Sequence, residues 1–288
     1  VTVTAEQSIT DNYNSHISFK VEGFQVEDGQ QPDFGSISVL VDGKEDLNLD
    51  AGFYDGIITG EDGMPVRAFD GSSALDENGD MIYYYVQEDG SMEFDINMNN
   101  YSEKGFFIGK DIQVELKDLG TVDKAEFTKT LEGTWSFEWT LGGADTAKTY
   151  TLNQPLGDSG ATIQTVEISP ISVYAEYNFP IQKETITGEN EDGTTSESTT
   201  FKEAPPLMGI KLKDGTVIKN MYMGGGMIGY QNNSSDDYVY AYATDRIIDP
   251  DQIAYFLFIN DDVPIGEQGM TENNFYEVAV GENQQGDR

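Results

Sequence analysis

Gly157-Asp158-Ser159-Gly160 places a serine among turn-forming residues, a setting in which serine can be the nucleophile of a hydrolase. The single histidine, His16, precedes this motif, and acids lie between them, so the chain order His, Asp, Ser is that of a catalytic triad. A triad also needs the base beside the serine, an acid to orient it and an oxyanion hole. His16 opens a predicted strand in the first half of the chain, and Ala161 stands where glycine usually continues the motif. We therefore interpret the tetrapeptide as a β-turn and His16 as an ordinary strand residue.

A second glycine motif, Gly224–Gly229, satisfies the pattern G-x-G-x-x-G. This pattern binds dinucleotides only where it follows a strand and opens a helix. The polar run 231–237 follows instead of a helical pattern. The motif is therefore predicted to be a flexible or bulged strand connection.

Oxygen ligands are crowded in the segment Asp76-Glu77-Asn78-Gly79-Asp80, which makes it a candidate calcium loop. An EF-type loop ends on a bidentate Glu after 12 residues, and a frame of that length from Asp76 ends on Gln87. An Asn-Gly turn explains the cluster better, with calcium as the alternative. The acidic pair Asp261-Asp262 is likewise interpreted as a solvated turn.

Tyrosine clusters offer a different chemistry, because aromatic rings can stack on sugars. They are Tyr83–Tyr85 and the alternating set Tyr238, Tyr240 and Tyr242. Aromatic residues with a period of two more often form the core or cross-strand pairs. The 52 acids could also include a glycosidase pair, but the sequence singles out none. We assign no catalytic, cofactor-binding or metal-binding residue, expect no cofactor, and predict that the protein is not an enzyme.

Composition narrows the possible partners. The 288 residues include 16 Lys and Arg against 52 Asp and Glu, for a net charge of −36. Such an acidic chain is a poor partner for nucleic acid or for an anionic membrane surface. The absence of cysteine excludes thiol catalysis, disulfides and Cys-ligated zinc.

The elements that must position these residues are strands. Apolar and polar residues alternate in segments such as Ile17–Val21, Ile37–Val41 and Trp135–Thr140, the pattern of a half-buried strand. Asp-Gly pairs at 42–43, 89–90 and 214–215 predict hairpin turns. Short strands and frequent turns predict an all-β fold, namely two immunoglobulin-like β-sandwich domains in tandem.

The polar link 117–123 suggests a domain boundary, so we predict an N-terminal sandwich over 1–124 and a C-terminal sandwich over 125–288. Both tryptophans then fall in the second domain as core anchors. The acidic segment 183–203 has little apolar surface to bury and is predicted to be a mobile hairpin excursion. Asp249–Ile253 is predicted to form one capped turn that leads into a strand, and 80–87 is predicted to be a strand.

The order of several motifs resembles a known family. They are the opening Val1–Asp11, a strand ending Phe19–Gly23, the strand Ile112–Leu116, then Leu131–Phe137, Lys148–Asn153, Val166–Pro170 and Ile247–Ile253. This order resembles the extracytoplasmic portion of a domain-of-unknown-function family of Gram-positive membrane proteins. The resemblance implies two β-rich outer domains, one membrane span outside this chain, and a relationship to anti-sigma factors. It carries no catalytic residues.

On this basis we expect a non-enzymatic sensing or binding region of a membrane-anchored regulator of anti-sigma-factor type. We read the chain, which begins at Val1, as part of a longer precursor on the extracytoplasmic face of the cell membrane. Its expected partner is an extracellular ligand or protein, and the parent protein would reach a sigma factor through a segment that this chain lacks. The alternative is a cell-surface adhesin or carbohydrate-binding module.

Overall fold

The computed structural model describes residues 1–27, 30–45, 48–60, 65–68, 72–143, 147–189, 195–232, 235–266 and 269–281. The chain is all-β, as the alternating pattern predicts, and it divides into two compact units, Val1–Ala147 and Lys148–Arg288. Each unit is described by itself below.

Within its described residues, the first unit has ten strands. They are β1 (Thr2–Thr10), β2 (Asn14–Glu22), β3 (Gln31–Val41), β4 (Lys44–Glu45), β5 (Leu49–Phe53), β6 (Ile57–Thr59), β7 (Pro65–Ala68), β8 (Met92–Asn99), β9 (Asp111–Asp123) and β10 (Glu126–Thr140).

Two antiparallel sheets enclose the core of the first unit. Sheet A has the strand order β1-β2-β8-β5, and sheet B has the order β10-β9-β3-β4. Their inward side chains form one apolar cluster, to which Phe19 and Phe94 contribute from sheet A and Val114 and Leu116 from sheet B. The strict alternation of β2, β8 and β9 places every second side chain in this cluster and the others on the outer faces.

The boundary between the units lies later than the sequence analysis predicted. Asp123 pairs with Glu126 at the end of a long β9–β10 hairpin, so the predicted boundary at 124/125 falls inside the turn of that hairpin. The polar link is therefore a strand ladder and not a linker. Trp135 and Trp139 consequently pack against the core of the first unit, and not in the second domain as predicted.

The part of the second unit that the structure describes has eleven strands and two single turns of 3-10 helix. The strands are β11 (Lys148–Pro155), β12 (Thr162–Ile168), β13 (Ser172–Asn178), β14 (Lys183–Glu189), β15 (Thr195–Phe201), β16 (Leu207–Leu212), β17 (Val217–Ile218), β18 (Tyr222–Tyr230), β19 (Asp237–Thr244), β20 (Ile253–Ile259) and β21 (Phe275–Ala279), and the turns are Pro250–Gln252 and Glu272–Asn274.

The second unit again has two sheets around one core. Their orders are β11-β12-β13-β19-β18 and β17-β16-β20-β21, and a separate β14–β15 hairpin accompanies them. Buried tyrosines run along the inner face: the hydroxyl of Tyr177 donates to the Pro205 carbonyl oxygen at 3.0 Å, and that of Tyr242 donates to the Leu207 carbonyl oxygen at 2.8 Å. These bonds tie the segment before β16 to the opposite sheet.

Most of the predicted turns and the capped turn are confirmed. Asp42 and Gly43 have φ values of 49° and 72°, as a type I′ hairpin turn requires. The Asp249 side chain accepts the Asp251 backbone N–H at the start of the turn Pro250–Gln252. The segment 183–203 contains the β14–β15 hairpin, as predicted, with 190–194 outside the described residues.

The prediction of a strand over 80–87 is wrong. Met81 forms an isolated β-bridge with Leu75, and the tyrosines that follow it lie in an irregular segment. The physical reason is that the backbone N–H of Tyr84 donates to the Asp55 carbonyl oxygen in a single contact. The described residues on either side of Tyr84 do not extend this contact into a ladder of strand hydrogen bonds.

Candidate functional site

The serine motif forms a turn in the second unit. Ser159 Oγ donates to the Leu156 carbonyl oxygen at 2.6 Å and accepts the Ala161 N–H at 3.1 Å. Gly157 and Gly160 have φ values of 52° and 81°, in the region that favours glycine. The β-turn interpretation is therefore confirmed, and the serine hydroxyl serves the turn.

The candidate calcium loop is also a turn. One carboxylate oxygen of Asp76 accepts the backbone N–H groups of Asn78 at 2.8 Å and Asp80 at 2.9 Å, and Gly79 has a φ of 86°. These backbone hydrogen bonds, that of Asp80 first, hold the pKa of Asp76 below its usual value. No group of three or more His, Asp or Glu residues in the described ranges has the arrangement of a metal site.

The acidic pair Asp261-Asp262 and the glycine motif Gly224–Gly229 also have structural roles. Asp262 donates its N–H to the Asn260 side chain at 3.2 Å in a solvated turn. The glycine motif lies within β18, whose pairing with β19 shifts register between Tyr222 and Gly224 and again before Met227. The bulged-strand prediction is thus confirmed.

His16 belongs to a polar cluster on the outer face of sheet A. Its Nδ1 donates to the Asn97 side-chain oxygen at 2.7 Å across the β2–β8 pair, and its Nε2 lies 3.8 Å from Oδ1 of Asp95. The Asp95 side chain is only 16% exposed, and its Oδ1 accepts no hydrogen bond from any described residue. Burial raises the pKa of Asp95 to about 6; His16 lowers that pKa and Glu93 raises it further.

The same face carries an open pocket beside this cluster. The cavity has a volume of about 560 Å³ and is lined by Tyr54, Gln87, Glu88 and Asp89; we call it the tyrosine pocket. Tyr54 forms one wall with a ring that is 40% exposed, and its backbone N–H donates to the Glu93 carbonyl oxygen at 2.8 Å. The pocket thus combines one aromatic ring with an amide and two carboxylates.

Two hydrogen bonds fix the polar wall of the tyrosine pocket. The Lys20 ammonium donates to Asp89 at 2.8 Å, and Ser91 donates its hydroxyl to the other carboxylate oxygen at 2.5 Å. These bonds, that of Lys20 first, hold the pKa of Asp89 well below its usual range. Gln87 donates to the Glu93 carboxylate at 3.4 Å. The charged side of the pocket is therefore held in position before any ligand arrives.

A tyrosine pair lies near this pocket, with Tyr83 exposed and Tyr85 half-buried against the core of the first unit. The Tyr84 backbone N–H donates to Asp55, the residue after Tyr54, at 2.8 Å, which holds the run of three tyrosines next to that wall. The rings of Tyr83 and Tyr85 are stacked, with centroids 6.2 Å apart and an angle of 18° between their planes, and Tyr83 is 50% exposed. These rings extend the aromatic surface.

The second predicted tyrosine set is not a surface. Tyr238, Tyr240 and Tyr242 are buried on the inner face of the second unit. Sequence reasoning also missed Tyr54, Gln87 and Asp95. Only the pairing of β5 with β8 and the fold of 82–91 bring them together, and these segments carry no sequence pattern that would reveal it.

A second concave region lies on the outer face of sheet B. This cavity of about 430 Å³ is lined by Ser38, Leu40, Gln113, Val114, Glu115, Ser136, Phe137 and Glu138. Its polar side chains stand in two rungs across β3, β9 and β10. The aromatic residue of its lining, Phe137, packs against the core cluster of the first unit, whereas Tyr54 of the tyrosine pocket is exposed.

Comparison with known proteins finds structural similarity but no family. No protein-family model and no curated protein matches the chain. A solved structure described as the conserved domain protein from Bacillus anthracis is 15% identical, with 92% of this chain and 75% of that chain covered and a TM-score of 0.40. A solved chain called BspA_C_mut is 12% identical, with 88% and 86% covered and a TM-score of 0.12. Among the described residues, no helical segment has the length and hydropathy of a membrane span.

Proposed function

We propose that this chain is a non-enzymatic binding region that works outside the cell membrane, and that its tyrosine pocket takes a carbohydrate. The observation that carries the proposal is the composition of the pocket wall, where the exposed ring of Tyr54 faces a space lined by Gln87, Glu88 and Asp89. Binding pockets typically join an aromatic surface to a few placed polar groups.

The chemistry of this wall suits a sugar. The apolar C–H face of a pyranose packs on an aromatic ring, while its hydroxyls exchange hydrogen bonds with amide and carboxylate groups. Lys20 and Ser91 already hold Asp89 in place, so binding immobilises fewer side chains and costs less entropy. The acidic lining and the net charge of −36 disfavour phosphorylated or acidic sugars. We therefore favour a neutral or amino sugar.

The cellular role that we propose first is sensing, in a membrane-anchored regulator of anti-sigma-factor type. This part rests on the sequence resemblance, in which the outer domains receive a signal and a segment outside this chain meets the sigma factor. The second candidate is a cell-surface adhesin or carbohydrate-binding module. The tyrosine pocket favours it specifically, because an exposed aromatic wall is what such a module needs.

A glycan array followed by calorimetry tests the binding proposal. Tyr54→Ala should weaken binding of an array-positive glycan at least about tenfold, because the stacking surface is lost. Tyr54→Phe should bind nearly as well, since the ring remains. Tyr222→Ala is the matched control, an exposed tyrosine of the second unit that should leave binding unchanged. A blank array, or equal binding by Tyr54→Ala, would overturn the proposal.

A reporter experiment separates the sensor from the adhesin. In cells that carry a full-length protein containing this chain, the array-positive glycan should change expression from a sigma-factor-dependent promoter, and Tyr54→Ala should abolish the response. Glycan-dependent adhesion with an unchanged reporter would favour the adhesin.

The proposal that the chain is not an enzyme has its own test. Ser159 donates its hydroxyl within a turn, so a fluorophosphonate probe for activated serines should leave the protein unlabelled. Labelling that Ser159→Ala removes would show an activated nucleophile. Hydrolysis of an array-positive glycan would equally contradict the proposal.

A further inference from the structure

Sheet A extends one strand further than sheet B on the side of β10. The Phe19 ring on β2 contacts the rings of Phe137 at 5.0 Å and Trp139 at 6.5 Å between centroids, so edge strand β10 lies opposite β2. In sheet A, β1 comes after β2 at the edge. β1 is thus the strand that overhangs the edge of sheet B.

The inward side of β1 shows that the space opposite it is open. Ala5 pairs with Phe19, and Ser8 pairs with Ile17, so both point to the same face as these fully buried residues. Ala5 and Ser8 are nevertheless exposed, whereas Val3 and Thr10, on the same face near the two ends of β1, are buried. In the part of the chain that the structure describes, the space beside β10 and under the middle of β1 is therefore open to solvent.

The β10 edge is of the kind that accepts another strand. From Thr134 to Thr140 it stays in regular register with β9, and among the described residues it pairs with no other strand. Its inward residues Trp135, Phe137 and Trp139 are half-buried, less covered than the core residues of β9. This stretch holds no proline or lysine, the residues that commonly protect edges.

Three other sheet edges are blunted. β4, at the opposite edge of sheet B, has two residues; β11 ends in Pro155; and β18 is broken by two register shifts. Short strands, proline and bulges all discourage pairing with another chain. Between Thr134 and Thr140, β10 has none of these features.

We propose that β10 binds an extended segment of a partner protein, which adds to sheet B as a further strand opposite β1. The added strand would bring apolar side chains over the aromatic row at every second position. Its alternate residues would face the outer side of sheet B, where Glu138 and Glu132 are exposed on β10. Charge complementarity therefore calls for basic residues there, so the partner segment alternates apolar and basic residues.

A second copy of this chain is a poorer occupant. Two copies would bring together molecules of net charge −36 and would place the acidic outer faces of two β10 strands side by side. The inference does not depend on the tyrosine pocket, because it concerns a different sheet and a peptide ligand.

The protein contains its own reporter for this test, since both of its tryptophans lie on β10. The probe is a nine-residue peptide of alternating Lys and Val, titrated into the full chain while tryptophan emission is recorded. We expect saturable binding with a blue shift, as a new strand removes water from Trp135 and Trp139. A Glu-Val peptide and a fully N-methylated Lys-Val peptide should each bind at least about tenfold more weakly.

Protein variants test the same surface. Glu138→Lys should weaken binding of the Lys-Val peptide about fivefold and strengthen binding of the Glu-Val peptide. Glu77→Lys, which changes an exposed acid in the 76–80 turn by the same charge, is the matched control and should change neither. Equal binding of all three peptides, or no emission shift at saturation, would overturn the proposal. A dimer by sedimentation, with an emission shift that follows protein concentration, would overturn it in favour of a second copy.

Discussion

Nε2 of His16 lies 3.8 Å from Oδ1 of Asp95, a distance at which a charged pair attracts but no hydrogen bond forms. The carboxylate is therefore mostly buried without a donor at this oxygen, and burial is the main reason that its pKa is raised to about 6. An acid with a raised pKa is easier to protonate in the folded state than in the unfolded chain. Its ionisation therefore lowers the free energy of unfolding.

Asp95→Asn should stabilise the protein at neutral pH. The unfolded Asp ionises near pH 3.8 and the folded one near pH 6, so the cost of ionisation appears across this range and is complete above about pH 7. The gain in the free energy of unfolding should reach at most about 3 kcal/mol at pH 7 and nearly vanish at pH 4. Urea unfolding of both proteins at the two pH values measures it.

Asp50→Asn is the control for this prediction, because Asp50 is an exposed acid on the adjacent strand β5. It should change the free energy of unfolding little at either pH. A loss of stability in Asp95→Asn at pH 7, or an equal gain at both pH values, would contradict the burial argument.

Ala125→Gly should stabilise the β9–β10 hairpin. Lys124 and Ala125 have φ values of 49° and 66°, in the left-handed region that glycine adopts at little cost and other residues do not. The expected gain is about 1 kcal/mol, measured by thermal or urea unfolding. Ala5→Gly, in the exposed strand β1, should instead lose about 0.5–1 kcal/mol. A loss in both variants would show that the turn is not strained.

Gly120→Ala should be destabilising, because a Cβ there would stand 2.1 Å from the Thr128 carbonyl oxygen and 2.8 Å from the Phe127 ring. The backbone of the hairpin would have to move, at a cost of about 1–3 kcal/mol. Gly52→Ala is the matched control: it lies in β5 of the same unit, and its Cβ would meet no atom within 4 Å. It should be neutral or gain up to about 1 kcal/mol. Similar melting temperatures for the two variants would disprove the close approach.

Removing two buried hydroxyls should have unequal effects. Tyr242 donates to the Leu207 carbonyl oxygen at 2.8 Å, so Tyr242→Phe should lose about 1 kcal/mol. The Tyr238 hydroxyl is buried near the Ala204 backbone without a hydrogen bond of ordinary geometry to any described residue. Tyr238→Phe should therefore be neutral or stabilising. Calorimetric unfolding decides, and a larger loss for Tyr238→Phe would contradict this assignment.

Regular alternation made much of the fold predictable. β2, β8 and β13 were found close to their predicted positions because one face of each is buried and one is not, which leaves a period of two in the sequence. The Asp-Gly turns were also found from a local signal, because Gly43, Gly90 and Gly215 adopt the positive φ that glycine favours. β5 lacks such a contrast between faces, so its sequence carries little signal.

The domain boundary and the candidate site depend on pairing between distant segments. The β9–β10 turn is made by Lys124 and Ala125, which are not turn-forming residues, so nothing in the sequence marked a hairpin there. The tyrosine pocket exists because β5 pairs with β8 and Lys20 reaches Asp89 across 69 residues of sequence. Local patterns do not encode such contacts.

The buried tyrosines of the second unit set an alkaline limit on its fold. A phenolate cannot donate a proton, so ionisation of Tyr177 or Tyr242 would break the bonds to the carbonyls of Pro205 and Leu207 and leave a charge in the core. Burial raises the pKa of Tyr177 well above its ordinary value and that of Tyr240 to about 12, so these side chains stay neutral where free tyrosine begins to ionise. The stability that the neutral buried tyrosines give to the unit is therefore fully present below about pH 10 and is lost progressively in stronger base.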